Sequence, residues 1–539
     1  MLKISNLDYR VQARPLFEGA SVQISSGWKV GLVGRNGTGK STLLNLIREE
    51  VASPTGDSAI RMRQKAKLGW VAQEVAATDE VILDVVLAAD VERHALMAEA
   101  DTATDPMRIA DIHTRLIDID AWSAEARAAE VLMGLGFTQS DLSRATKEFS
   151  GGWRMRAALA GVLFSQPDLL LLDEPTNYLD LEGAAWLEGY LIKYPHTVLI
   201  VSHDRELLNR CVTHTMALEH RKLTICPGGY DAWLKLRAAK LAQLESQRAK
   251  QDADRAHLQS FVDRFRAKAS KARQAQSRVK MLEKMQDISI PLAERTTPFH
   301  FPDPKDQLSP PMLQLQGADL GYGEGARILE NVDLRVDPED RIAIIGANGQ
   351  GKTTLVKSIA QRLSLMAGEV TAPRALRIGY FSQDQLDELT LGDTVLDHVR
   401  RAMPKDTPVG KQRATAAQMG FSHEKVDTKV EKLSGGEKVR LLLGLMAMDK
   451  PHILILDEPT SHLDIDSREA LIYALNDFKG AVLLITHDVF LVEATADQLW
   501  LVKDGHAAPY EGDLKDYRAL LTQADRNKGD TRKGKSIAA

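Results

Sequence analysis

The sequence predicts an α/β protein of two tandem domains of one kind, with a helical arm in the first and a helical segment between them. Three observations carry that prediction. One glycine-rich loop pattern occurs twice, each time between a strand-like run and a helix-like run. The same short motifs then follow each copy in the same order. Residues 232–285, between the two sets, have helix-forming composition and almost no glycine or proline.

The loops are Gly34-Arg35-Asn36-Gly37-Thr38-Gly39-Lys40-Ser41 and Gly346-Ala347-Asn348-Gly349-Gln350-Gly351-Lys352-Thr353, followed by Thr42 and Thr354. Both fit the phosphate-loop pattern of Gly, four residues, then Gly-Lys-Ser/Thr. Val30 to Val33 and Ile342 to Ile345 precede them as runs that read as buried strands. Leu43, Leu44 and Ile47, and in the second copy Leu355, Val356 and Ile359, open helical stretches. The pattern needs this context, because phosphates sit on backbone N–H groups at a helix N-terminus. Two P-loop NTPase domains, each binding a nucleoside triphosphate, are therefore expected.

Downstream, Gln73 closes the run Gly69-Trp70-Val71-Ala72, and Gln383 closes Gly379-Tyr380-Phe381-Ser382. Ser150-Gly151-Gly152 and Ser434-Gly435-Gly436 come next. Four apolar residues then lead to Asp173-Glu174-Pro175-Thr176 and to Asp457-Glu458-Pro459-Thr460, and last come His203-Asp204 and His487-Asp488. This order, with its Ser-Gly-Gly signature, resembles the ATP-binding cassette (ABC) ATPases. The two lysines lie 312 positions apart (352 − 40), whereas the signature serines (434 − 150), the aspartates and the histidines all lie 284 apart. The first copy therefore carries extra residues between lysine and signature, most of them in the charged, alanine-rich stretch 84–127. That stretch is expected to be a helical arm.

The residue types suggest roles. Lys40 and Lys352 place a charge on the β- and γ-phosphates, and Ser41 and Thr353 offer a hydroxyl to Mg²⁺, with Asp173 and Asp457 as second anchors. Glu174 and Glu458 are suited to polarise or position the attacking water. His203 and His487 are expected to contact the γ-phosphate, and Gln73 and Gln383 to complete the metal and water shell. A lone histidine at a strand end is usually a satisfied structural residue, but the same spacing from the Asp-Glu pair in both copies favours function. The ABC resemblance implies a head-to-tail pair, in which Ser434, Gly435 and Gly436 close over ATP held by Lys40, and Ser150, Gly151 and Gly152 over ATP held by Lys352. Neither set lacks a member, so two ATP-hydrolysing sites are expected. Tyr9 and Tyr322 stand at comparable distances before their loops. Each either packs in a sheet or, as the resemblance implies, stacks on adenine. Tyr178 stands where the relatives usually have His, the residue found at His462.

Net charge is −5 over 539 residues with a pI near 6.3, which excludes a uniformly basic nucleic-acid coat. Cys211 and Cys226, the only cysteines, form no Cys-x-x-Cys pair, which argues against a zinc ribbon or iron–sulfur cluster and fits a reducing cytosol. The N-terminus shows no signal-peptide pattern, and no apolar run approaches the ~18–20 residues of a membrane span. A cytoplasmic protein is expected.

The overall charge conceals a basic middle. Residues 232–285 are rich in Ala, Gln, Lys, Arg and Leu, and Leu234, Leu241, Leu244 and Leu258 recur at helical spacing. Two helices of ~25 residues are expected, reaching ~35–40 Å. Between them, Arg264, Arg266, Lys268, Lys271 and Arg273 face a single acid, Asp263, with Phe261 and Phe265 nearby. Such a positive end on an acidic protein suggests phosphate-backbone binding, although charge-rich helices are commonly plain solvated linkers.

Two cassettes, a basic helical linker, a first-cassette arm and no membrane segment resemble the ABC-F translation-associated ATPases, in their bacterial YheS-like branch. The resemblance spans residue 1 to about 521. It implies a monomer whose cassettes close on ATP and Mg²⁺, occupy the exit site of the 70S ribosome and reach the peptidyl-site tRNA or ribosomal RNA through Arg264, Arg266, Lys268, Lys271 and Arg273. It also turns the arm towards the ribosomal stalk side. The expected boundaries are 1–225 for the first domain, 226–311 for the linker, 312–521 for the second domain and 522–539 for a short basic tail. Two other readings stand: an ATP-hydrolysing subunit of a transporter, which the projecting basic linker argues against, and a binder of branched DNA, which phosphate contacts alone do not separate from RNA.

Overall fold

The computed structural model describes residues 1–11, 14–53, 58–71, 76–265, 297–323 and 325–517. Its two halves repeat one plan. The first has a six-stranded sheet in the order Leu68–Trp70, Leu169–Asp173, Thr197–Val201, Lys29–Val33, His214–Glu219, Lys222–Pro227. The first five strands are parallel and the last is antiparallel. The second half has Ile378–Ser382, Ile453–Asp457, Ala481–Ile485, Arg341–Ile345, Gln498–Lys503 and His506–Tyr510 in the corresponding order. A three-stranded antiparallel sheet accompanies each, Arg14–Ile24, Leu2–Val11 and Ile60–Met62 in the first half, and Ala326–Val336, Leu313–Tyr322 and Ala367–Thr371 in the second.

The unbroken apolar runs mark strands covered on both faces. Leu170 and Leu172 pack into the helix-covered core of the first half, and Leu169 and Leu171 into the core beneath the three-stranded sheet. Leu454 and Leu456, against Ile453 and Ile455, divide in the same way in the second half. Successive strand residues point to opposite faces, so four consecutive apolar residues serve two cores. Trp500, 1% exposed on Gln498–Lys503, is among the largest fully buried side chains. Trp500→Ala is expected to cost about 3–5 kcal/mol, read as a lowered denaturation midpoint. A loss below about 1 kcal/mol would contradict the packing described.

The phosphate loops follow the strands Lys29–Val33 and Arg341–Ile345 and run into the helices Lys40–Ala52 and Lys352–Ile359. Gly351 shows why the pattern needs glycine at its second fixed place: φ is +100°, and a Cβ there would lie 2.6 Å from Ile328 Cγ2.

The expected arm narrows in the structure. The helices Ile82–Ala88 and Ala124–Gly134 bury Ile82, Val86, Ala124, Ala128 and Leu132 in the main core of the first half, so they are not part of a projection. The helical hairpin between them, Val91–Ala100 and Pro106–Asp118, closes its own small cluster on Ile112, Leu116 and Ala121.

The expected linker is also shorter at both ends and its first helix longer. The helix Tyr230–Phe265 has 36 residues rather than ~25, which at 1.5 Å per residue is ~54 Å. Its first turn is rooted in the first core through buried Tyr230 and part-buried Trp233 and Leu234. Leu241 and Leu244 are half-buried further along. Phe299 and Phe301, beyond it, already pack into the second core. Arg264 stands in the last described turn of this helix, while Arg266, Lys268, Lys271 and Arg273 lie outside the described residues, as does the tail from 518 onward.

Candidate functional site

Parallel strands bring their carboxyl ends to one edge, and the turns there carry the chemistry. In the first half, neighbouring strands deliver Asp173 and Glu174, then His203, then the phosphate loop. Glu174 is held in the left-handed region (φ 47°), where its N–H donates to Val201 O at 2.8 Å. Glu458 repeats this with φ 54° and an N–H bond to Ile485 O at 2.8 Å. A strained backbone kept twice at one position needs support from its surroundings, and each of these hydrogen bonds ties the glutamate to the strand that ends at the histidine.

Lys40 is buried and its Nζ donates to Gly34 O (2.7 Å) and Arg35 O (3.1 Å), which folds it over its own loop. Lys352 does the same with Gly346 O (2.6 Å) and Ala347 O (3.0 Å). The two ammonium groups thus sit at the centre of the loops, where a phosphate would replace the carbonyls as their partner.

Glu174 accepts a hydrogen bond from the His203 backbone N–H at Oε2 (3.2 Å), while Oε1, 3.5 Å from His203 Nε2, accepts none. Glu458 Oε1 is likewise without a hydrogen bond, 3.4 Å from His487 Nε2. A buried carboxylate oxygen without a donor is costly, and here it points to a group the site is built to hold. Burial pushes the Glu174 carboxyl up to about 7, and burial reinforced by Asp457 pushes Glu458 up to about 8. Burial drives both imidazoles, His203 and His487, well below their usual range, with Lys40 and Lys352 adding to the effect. The pattern is a neutral histidine beside a proton-accepting carboxyl, poised near neutral pH.

The two halves meet at these loops. A cavity of about 380 Å³ is lined by Asn36, Gly37, Gly39, Lys40, Ser41 and Thr42, by Asp173, Glu174 and His203, and from the other half by Ser434, Gly435, His462 and Arg468. Asn36 joins its two walls. Its N–H donates to Asp464 Oδ2 (3.2 Å), its Nδ2 to His462 O (2.9 Å), and its Oδ1 lies 3.1 Å from His203 Nε2. Across the seam, Asn348 N–H donates to Asp180 Oδ2 at the same 3.2 Å.

The residues fit a magnesium nucleotide. Thr353 Oγ1 donates to Asp457 Oδ2 (3.1 Å), a hydroxyl and carboxyl pair of hard oxygens, and burial pushes that carboxyl up to about 6. Among the described residues no group of three or more His, Cys, Asp or Glu could form an all-protein metal cage. Mg²⁺ bound together with phosphates needs none.

Comparison with known proteins agrees with the geometry. A protein-family model described as ABC transporter matches residues 17–177 and 329–461, and a second of the same description matches 216–301. The chain is 41% identical over 534 residues to "Probable ATP-binding protein YheS" of Escherichia coli K12, covering 98% of this chain and 83% of that one. It is 38% identical to human "ATP-binding cassette sub-family F member 3" over 98% of this chain and 75% of that one. The chain belongs to the ABC-F family. Two tandem-cassette structures share its fold: the archaeal ribosome recycling factor aABCE1, solved with ribosomal stalk protein aP1 (TM-score 0.56, 18% identity, 94% of this chain and 89% of that chain), and the RNase-L inhibitor (TM-score 0.55, 19% identity, 97% and 92%).

Within this ABC-F chain the expected residues fall in three groups. Lys40, Ser41, Thr42, Asp173, Glu174, His203, Ser434 and Gly435 come together around one cavity, with Gly34 and Gly346 supplying carbonyls to the lysines. A Cβ on Gly436 would lie 3.6 Å from Asn36 Nδ2, which puts the signature's second glycine against the other half's loop. In the second half, Gly349, Lys352, Thr353, Asp457, Glu458 and His487 repeat the geometry, while Thr354 is buried. Less is gathered around the remainder. Ser150 caps its helix without a side-chain hydrogen bond, whereas Ser434 shares a capping box with Glu437. Tyr9 is half-buried on the three-stranded sheet and Tyr322 is 48% exposed, and Leu16, not Tyr9, lines the first cavity. Gln383 opens the short helix Gln383–Glu388, and Gln73 lies outside the described residues. Asp180 and Asp464, in the loops of Tyr178 and His462 that the sequence places between the two sites, repeat 284 positions apart like the motifs; Arg468 had no role in the sequence reading and breaks the repeat.

Proposed function

We propose that the protein is a cytoplasmic, ribosome-binding ABC-F ATPase. In its ATP-closed form it occupies the exit site, contacts peptidyl-site tRNA or ribosomal RNA through the linker, and leaves on hydrolysis. The ABC ATP-binding domains imply ATP hydrolysis in general; the finer reading is two composite sites, each closed by the signature of the other half. The observation that carries it is the cavity shared by Lys40, Glu174, Ser434 and Gly435. A triphosphate between these walls interacts with both halves, so its presence favours closure and its loss favours opening. Lys40 and Lys352 hold the β- and γ-phosphates, Glu174 and Glu458 orient the water and accept its proton, and His203 and His487 contact the γ-phosphate. Mg²⁺ would be held by Ser41 with Asp173 and by Thr353 with Asp457, and would supply charge neutralisation. Gln73 and Gln383 complete its shell, and Tyr9 and Tyr322 stand beside the adenine.

The ribosomal part rests on family membership and on the linker helix Tyr230–Phe265, exposed along most of its length and leading into the basic stretch. One structure of the same fold is that of ribosome-bound archaeal Pelota and ABCE1 (TM-score 0.55, 17% identity, 94% of this chain and 78% of that chain). No helix among the described residues is long and apolar enough to cross a membrane. The test is co-sedimentation of the chain with 70S ribosomes in ATP, in a slowly hydrolysed ATP analogue, in ADP and without nucleotide. Pelleting is expected with the analogue and not with ADP. Equal pelleting in all four conditions, or none, would contradict the proposal.

A further inference from the structure

Two sites made from one repeat should differ only where the repeat is broken, and a charged residue serving one of them alone is such a break. Arg468 stands on the helix Ile465–Asp477 of the second half, yet lines the cavity of Lys40, Glu174 and His203 in the first. The matching position, 284 residues earlier on Leu181–Lys193, is Ala184. Arg156 and Arg440, by contrast, match each other at that spacing.

The guanidinium is fixed from two sides. Its Nε donates to Leu463 O (3.1 Å) and its Nη1 to Asp488 Oδ2 (2.9 Å), with both charged side chains only 12% exposed. Asp488 is the residue after His487, so Arg468 joins the wall of the first site to the histidine turn of the second. Its charge crosses the seam. At Glu174 it is the largest influence opposing burial, ahead of Lys40, and it also acts on His203. At Glu458 the leading charges are instead Asp457, Lys352 and Asp488.

We propose that Arg468 is a positioning residue of the first nucleotide site, supplied by the opposite half, and that it makes this site hydrolyse ATP faster than the second. A planar cation held in place before the substrate arrives orients carboxylate and phosphate oxygens without reorganising during the reaction. The inference rests on the composite-site reading above.

The test separates the sites. Glu458→Gln leaves the first-site glutamate and Glu174→Gln the second; Arg468→Ala and Arg468→Lys are added to each, and kcat and KM are measured by phosphate release. In the Glu458→Gln background, Arg468→Ala is expected to lower kcat roughly tenfold or more with KM little changed, and lysine to recover part of it. In the Glu174→Gln background the loss should be at least several-fold smaller. Arg468→Gln replaces the alanine variant if that one fails to fold. Equal losses in both backgrounds, no loss in either, or an effect confined to KM would overturn the proposal. So would the absence of turnover in either single background while the parent turns over, since the sites would then share one rate. A parent chain that hydrolyses no ATP would instead overturn the underlying reading.

Discussion

Replacing Glu174 and Glu458 together by glutamine is expected to lower ATP turnover roughly 10²–10⁴-fold, the usual loss when a general base is removed. Glutamine keeps the shape of the side chain and can still accept from the His203 backbone N–H, which now bonds Glu174 Oε2 at 3.2 Å. What it cannot do is take a proton, and both carboxyls are raised by burial, to about 7 and about 8, into the range where that transfer is efficient. Nucleotide binding should survive, because the lysines and the loop amides are untouched. The double variant should therefore remain on ribosomes after ATP is washed out, and its expression should slow translation. Phosphate release and a timed ribosome pellet check both halves of the prediction. A double variant that turns over or dissociates like the parent would remove these glutamates from the mechanism.

Ser434→Glu is the second change with a large expected effect. Ser434 lines the cavity of Lys40 from the opposite half, and its hydroxyl and N–H are shared with Glu437 in a capping box. A carboxylate at the mouth of a site meant for a triphosphate meets like charge, and one placed beside Glu437 also competes for the helix N-terminus. Hydrolysis at the Lys40 site, isolated in a Glu458→Gln background, should fall by roughly two orders of magnitude, since electrostatic groups facing the reacting phosphate commonly carry that much. Ser434→Ala should lose far less, because the amides of Gly435 and Gly436 remain. Loss of turnover at the Lys352 site alone would show that the signature serves its own half.

How much of this was legible in the sequence depended on whether a residue repeats. The phosphate loops, the Asp-Glu pairs and the histidines recur in one order, and the structure puts them on the carboxyl edge of matching sheets. Strand assignment was equally secure where four apolar residues run together, since a strand covered on both faces has no polar alternation. The arm and linker were less exact for a shared reason. The helices Ile82–Ala88 and Ala124–Gly134 and the first turn of Tyr230–Phe265 have compositions like their projecting neighbours, and only packing decides which turns are buried. Tyr9 and Tyr322 repeat as well, yet their burial differs. A matched spacing fixes the place of a side chain in a strand without fixing what covers it. Arg468 was invisible for the opposite reason: a residue that departs from the repeat looks like noise until the seam brings it into the wall of the cavity that Glu174 also lines.

The helix Tyr230–Phe265 grips the first core with Tyr230 and Trp233, next to Arg205, which ion-pairs with Asp231 (2.8 Å) and approaches Glu469 of the second half (3.5 Å). Arg205 follows His203 by two positions, so the foot of the helix rests beside the turn that carries His203. A rod ~54 Å long on such a foot has the geometry of a lever: a tilt of about 10° would sweep its far end through about 9 Å, more than the ~5.4 Å of one helical turn. Any small turn of the foot would thus be enlarged at the far end by leverage alone.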